Sequence, residues 1–352
     1  MRKLFLIITL LIVISKAICP ALAENVIVQA NKQNYNAANN LMTFEGNVKV
    51  DFDNISIKSP KAFLKTGQDG KPQAATFVQG AEAIKIDGNS KSSVKANIIK
   101  VSILENKIRA QGNPSSTITE NKKPIATIKS DEQEFDMESN IITATGNVII
   151  NYEEIKANST NAKIKINESG KPELINLIGS AKVVQGKNIV NATNLLFNPI
   201  SNELIASGSA KSQTTLEDMT QVSIWSDYQQ FDQNTHTLIT SGRVKIVYKD
   251  YIATGPKATF LPDTKTHKPN KIVFMGRSKI QEGSRTVEAD KLELSVNPKT
   301  FTAEGNVRSQ FTQIGLNNKL NSSTKKQPKT TEETNKEEKI NLDDFTPVND
   351  IK

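Results

Sequence analysis

The chain has 352 residues, 45 Lys and Arg against 37 Asp and Glu, two histidines and one cysteine, with a formal net charge of +8. A single cysteine excludes an intrachain disulfide framework and a thiolate metal cluster. The modest basic excess is compatible with an acidic or phosphorylated ligand, and is equally what a solvated Lys- and Asn-rich surface gives.

At the start, Arg2 and Lys3 precede an apolar run from Leu4 to Ile14 that only Thr9 interrupts, and Ala21-Leu22-Ala23 stands before Glu24. This is the pattern of a secretory signal cleaved after Ala23. The run of about 11 residues is far short of the ~20 that span a bilayer. Cleavage would remove Arg2, Lys3 and Lys16 but no acid, lowering the charge from +8 to +5, and would take Cys19 with it. The expected mature chain therefore starts at Glu24 in an envelope compartment outside the inner membrane.

From Val26 onward the chain repeats itself. Glycines that follow strand-like runs stand at Gly46, Gly80, Gly112, Gly146, Gly179, Gly208, Gly242, Gly276 and Gly305. Every third one has matching surroundings, which predicts three units of about 98 residues and a stacked architecture. After the first glycine of each unit the sequence alternates. Val48, Val50 and Phe52 correspond to Val148, Ile150 and Tyr152, and to Val244, Ile246 and Tyr248, with mostly polar residues between them. Period-two alternation means strands with one buried face. Sixteen residues after each of these glycines stands Ala62, Ala162 or Ala258, followed two positions later by Leu64, Ile164 or Phe260. A Lys-Pro turn signal comes next, at Lys71-Pro72, Lys171-Pro172 and Lys268-Pro269.

No window sustains a helical period. The pattern predicts an all-β chain of roughly 25 to 28 strands, each about eight to ten residues long. Its apolar side chains would form a continuous seam, with Lys, Asn, Ser, Thr and Glu outside. Alternation alone is consistent with a packed core and with an open apolar groove. Stacked strands that do not close also leave free edges at both ends, which predicts concentration-dependent oligomers or pairing with other chains.

The residues from Asn317 to Lys352 are polar and charged, with few apolar positions. Such a segment cannot bury enough apolar surface to offset its chain entropy, so a disordered tail is expected over 316–352.

Several phrases carry a family resemblance. "FEGNVKV", "TATGNVIINYEEIKANSTNAKI" and "TAEGNVRSQF" carry it, together with strand openings at Ala30 to Tyr35, Ser130 to Phe135 and Ser226 to Phe231. In this order, behind a signal segment, they resemble the OstA-like family of periplasmic lipopolysaccharide-transport proteins, from about Val26 to Phe311. The resemblance implies a twisted β-jelly roll or β-taco over 24–315, as one extended roll or two fused modules. It implies an apolar interior that shelters acyl chains while the sugars stay in water. It further implies same-fold transport components at the inner and outer membranes as partners, and head-to-tail stacking. On that reading the fifteen residues named above (Val48, Val50, Phe52, Ala62, Leu64 and their counterparts in the other two units) line the groove.

Nothing in the sequence assembles a catalytic site. His236 and His267 lie in turn-like stretches without a second ligand nearby. Asp131-Glu132 and Glu153-Glu154 are strand neighbours that point to opposite faces, whereas acid–base work needs convergent groups. There is no phosphate loop, nucleophile elbow or metal spacing. Trp225, the sole tryptophan, reads as a packing residue. The expectation is a non-enzymatic periplasmic lipid carrier with no cofactor, no metal and no nucleic-acid partner. The alternatives are a structural or adhesin-like β-solenoid and, further off, a secreted β-helix polysaccharide lyase.

Overall fold

The computed structural model describes residues 27–312 apart from 53–54, 88, 137, 153, 168–171, 216–218, 220, 250, 264, 266–268 and 296–299. The signal segment, the tail and His267 lie outside the described residues. The chain divides into two units: one runs to Gln213 and includes Asp232–Asn234, and the other comprises Thr214–Phe231 and the residues from Thr235.

All regular structure among the described residues is antiparallel strand. The first unit contains β1 (Ile27–Gln29), β2 (Lys32–Asn36), β3 (Leu41–Phe52), β4 (Ile55–Thr66), β5 (Pro72–Val78), β6 (Ala81–Asp87), β7 (Ser90–Ala96), β8 (Ile98–Ser102) and β9 (Lys107–Gln111). It continues with β10 (Ser115–Glu120), β11 (Lys123–Lys129), β12 (Glu132–Asp136), β13 (Ile141–Tyr152), β14 (Ile155–Ile166), β15 (Pro172–Gln185), β16 (Asn188–Asn198) and β17 (Glu203–Thr215). The second unit contains β18 (Gln221–Asp232), β19 (Thr237–Tyr248), β20 (Tyr251–Pro262), β21 (Pro269–Glu282), β22 (Arg285–Ser295), β23 (Thr300–Glu304) and β24 (Arg308–Phe311).

These 24 described strands are fewer than the sequence suggests, and many are longer, at 12 to 14 residues. The difference lies in the glycines. Most are not turns; they are bulges inside one continuous strand. In β3, β13 and β19 the pairing slips between Glu45 and Val48, between Thr145 and Val148, and between Ser241 and Val244. Gly146 and Asn147 adopt φ of 76° and 48°, a left-handed pair that bends the strand without ending it. The three proline signals mark strand starts, since Pro72, Pro172 and Pro269 are each the first residue of β5, β15 and β21. There a missing N–H costs the ladder least.

In the first unit the bulges line up across neighbouring strands and crease the sheet into two half-sheets. One half runs in pairing order through β1, the C-terminal part of β3, the N-terminal part of β4, β6, β7, β10, β11 and the C-terminal part of β13. It continues through the adjoining parts of β14, β15, β16 and β17. The other half runs through β2, the remaining parts of β3 and β4, then β5, β8, β9, β12 and β13. Hairpin turns lie at the ends of the strands away from the crease.

The crease has its own side-chain chemistry. Over Gly46, Gly112, Gly146 and Gly208 lie the side chains of Asn31, Asn97, Asp131 and Thr193, each fifteen residues upstream. Asp131 also accepts a hydrogen bond from Asn147 Nδ2 at 3.1 Å, and its amide donates to the carbonyl of Gly146 at 2.9 Å. In the second unit, Asp227 lies over Gly242 and Asp290 over Gly305 at the same interval. Arg243 binds Asp227 with two nitrogens and holds its carboxyl below the usual carboxylate range.

Candidate functional site

The two half-sheets of the first unit turn their apolar faces towards each other, and the buried side chains of both belong to one cluster. On the half that carries β1, one inner row passes from Val50 through Ile57, Ala83 and Val94 to Ile128 and Ile150. On the other half, a row runs from Met42 through Leu64, Ala75 and Val101 to Ile108 and Phe135. Strand alternation places every second residue of each strand on these inner faces.

Much of the interior of the unit is fully buried. Phe135 is 0% exposed, Ile108 and Ile118 are 1% and Tyr152 is 2%. Towards the start the lining opens: Met42, Val50 and Leu64 are only partly buried, while Val28 and Tyr35 are exposed. One polar clasp crosses the apolar lining. Ser116 Oγ on β10 donates to Gln133 Oε1 on β12 at 2.6 Å, and Gln133 Nε2 donates to the carbonyl of Ile128 at 3.3 Å. Both side chains are fully buried, so these bonds satisfy groups that would otherwise be costly to place there. Sequence reading missed Gln133, because a glutamine in an alternating run looks like an outward residue. Its one visible signal was Gln229, 96 residues on, whose buried amide likewise donates to a carbonyl five residues back, that of Ile224.

Most of the positions expected to line a groove are buried or partly buried. In the first unit Val48, Ala62, Val148, Ile150, Tyr152, Ala162 and Ile164 are buried, and Val50 and Leu64 are partly buried. Phe52 ends β3, and its side chain is outside the described set. The second unit has its own apolar cluster, which includes Val244, Ile246 and Ala258, with Phe260 packed against it. Tyr248 is half-buried at a hairpin end, where its ring stacks on Tyr251 with centroids 6.3 Å apart. The Tyr248 hydroxyl is buried without a hydrogen-bond partner among the described residues.

Elsewhere the chemistry is that of a solvated surface. His236 occupies a turn at φ 55°, and no group of three or more His, Cys, Asp or Glu side chains among the described residues could hold a metal ion. Trp225 is half-buried on the outer face of β18, with Lys245 Nζ 5.7 Å from its ring centre. On the outer face of the half-sheet that carries β12, Glu134 is held between Arg109 and Lys107. Burial pushes its carboxyl up, yet the two cations outweigh burial and leave it below its ordinary value.

Residues 27–124 match the family model described as LptA/(LptD N-terminal domain) LPS transport protein. Over this stretch the chain is OstA-like and resembles LptA. Among solved structures, the chain is similar to LptH from Pseudomonas aeruginosa, described as the LptA homologous periplasmic component of the conserved lipopolysaccharide transport device. The identity is 14%, with 34% of this chain and 82% of that one covered, at a TM-score of 0.29. No curated protein sequence matches the chain.

Proposed function

We propose that this protein is a periplasmic, non-enzymatic carrier in lipopolysaccharide transport, and that acyl chains lie between its creased half-sheets. The observation that carries the reading is the pair of apolar rows facing each other across one cluster, within a segment that begins with the OstA-like match. The fifteen residues expected from sequence are the proposed lining, ten of them in the first unit and five in the second.

Side chains as buried as Ile150 can meet a lipid only if the half-sheets part. The geometry favours parting over unfolding, because the crease is held by contacts within its own strands and does not depend on the interior. Exchanging contacts between the halves for contacts with hydrocarbon is close to neutral in dispersion, so the gain comes from taking the acyl chain out of water. About ten CH₂ groups at ~0.8 kcal/mol each supply roughly 8 kcal/mol before immobilisation costs. No nucleotide is needed by this chain; energy would enter through an inner-membrane ATPase. Free edges at β2 and at β23 and β24 suit strand addition by same-fold partners or by further copies of the chain.

A photo-crosslinking residue at Ile150 tests this directly. It should capture lipopolysaccharide in cells, whereas the same residue at Asn151, on the outer face, should not. Ile150→Asp should reduce capture by a second probe at Ile164, since an ionised group would face hydrocarbon unpaired. Circular dichroism and melting must show each variant folded. Equal capture from both faces, or none from either in folded protein, would replace the carrier with a closed structural solenoid.

A further inference from the structure

The outer face of the half-sheet that carries β1 has a charge pattern that no single stretch of sequence displays. One cross-strand row joins Lys49, Lys58, Glu82, Lys95, Ser115, Lys129, Ile149, Asn158, Lys182, Asn191 and Lys211, each opposite the next on the neighbouring strand. Six of these eleven positions are lysines and one is an acid. At ~4.8 Å per strand the row spans roughly 48 Å, with a cation about every 10 Å over much of its length. Lys49 pairs with Asp51 and Lys95 with Glu82, while Lys58, Lys129 and Lys182 have no acid within ion-pair distance among the described residues. Lys49 and Lys58 lie directly opposite each other, an arrangement that works against sheet stability.

The other half-sheet is different. On its outer face acids interleave with the cations: Glu45 sits between Lys32 and Lys61, and Glu134 and Asp136 meet Lys107 and Arg109. The outer faces of the two half-sheets thus differ in pattern: on one, acids interleave with the cations, and on the other, six lysines and a single acid share one cross-strand row.

We propose that this lysine row binds an anionic saccharide, namely the phosphate-bearing sugar portion of the lipid whose acyl chains occupy the interior. The proposal rests on the carrier reading and adds a site for the part of the cargo that stays in water. Spaced ammonium groups on flexible stems suit phosphates along a flexible chain, because each acts as a point charge without demanding a fixed plane. A planar membrane surface fits less well. Adjacent strands rotate by roughly 20–25°, so a row crossing ten strand intervals winds through more than half a turn and cannot lie flat.

The test uses the full-length protein and fluorescently labelled deacylated lipopolysaccharide, which keeps its phosphates and has no acyl chains to enter the interior. Wild type should bind it at low salt, bind less at physiological salt, and bind the phosphatase-treated saccharide more weakly. The triple variant Lys58→Gln, Lys129→Gln, Lys182→Gln should weaken binding about tenfold. The triple variant Lys65→Gln, Lys100→Gln, Lys163→Gln, on the other half-sheet, should bind like wild type. The proposal is overturned if the two triple variants lose affinity equally, or if the first binds like wild type. It is also overturned if the first loses binding only to phosphatidylglycerol vesicles, which would make the row a membrane contact. Lipid capture from Ile150 alongside absent saccharide binding would leave the carrier reading standing and remove this one.

Discussion

The carboxylate of Asp131, just before β12, lies over Gly146 on β13, so close that a Cβ on the glycine would come within 2.7 Å of the aspartate Cγ and 2.9 Å of its Cβ. The glycine also sits at φ +76°, where an L side chain is strained whatever the space. Gly70 offers a control, since its φ is +78° but nothing lies within 4 Å of an added Cβ. Gly70→Ala should cost about 1 kcal/mol from backbone strain alone. Gly146→Ala should cost about 3 kcal/mol, because the aspartate must also move. Urea midpoints of the two variants measure the difference, and equal midpoints would mean that the side-chain seat contributes nothing.

The buried clasp predicts a coupling. Gln133→Ala strands the Ser116 hydroxyl inside an apolar lining and should destabilise by about 1–3 kcal/mol. Adding Ser116→Ala should then cost less than it does in the wild-type background. A double-mutant cycle from chemical denaturation checks this; strict additivity would mean that the 2.6 Å bond between the two side chains is energetically idle.

Acid should weaken the outer-face ion pairs. The carboxyls of Glu45, Glu134 and Asp227 are held below their ordinary values, Glu45 and Asp227 chiefly by hydrogen bonds from Lys61 and Arg243, and Glu134 by Arg109 and Lys107 against the opposing effect of burial. A depressed folded-state value gives stability that is complete above the unfolded value and is lost as pH falls through the folded one. Denaturation midpoints should therefore stay level from neutral pH down to the ordinary carboxylate range and fall below it. Glu134→Gln should shallow that fall, and an unchanged acid slope would assign the loss to other groups.

Processing gives a further expectation. N-terminal sequencing of protein recovered from the envelope should begin at Glu24, and retention of Met1 would contradict the signal reading.

The alternation made half of this architecture legible. Val148 and Ile150 had to share a face because the strand period is two, and both are buried. The creases were only half legible. The glycines were visible, but a glycine after a strand-like run reads as a turn, and the run continued through it. At six of these glycines a partner stands fifteen residues upstream, among them Asn31, Asp131, Thr193 and Asp227, whereas Gly179 and Gly276 are covered by Thr160 and Pro256, 19 and 20 residues upstream. The partner is hard to see in the sequence because the residue type varies and the interval holds at most, not all, of the glycines. Gln133 was hidden for the opposite reason: its type argues for solvent, and only tertiary contacts show that it faces inward. The lysine row was invisible in principle, since its members are brought together by register across many strands and by no local spacing.

A bend whose stopper is carried by the same few strands has a consequence for how such a chain can change length. Each crease arrives complete, with its own hinge and its own stop, so a duplicated segment needs no adjustment from layers further along. Gain or loss of whole segments is then a mild event, while a single inserted residue between Asp131 and Gly146 would misalign the bend.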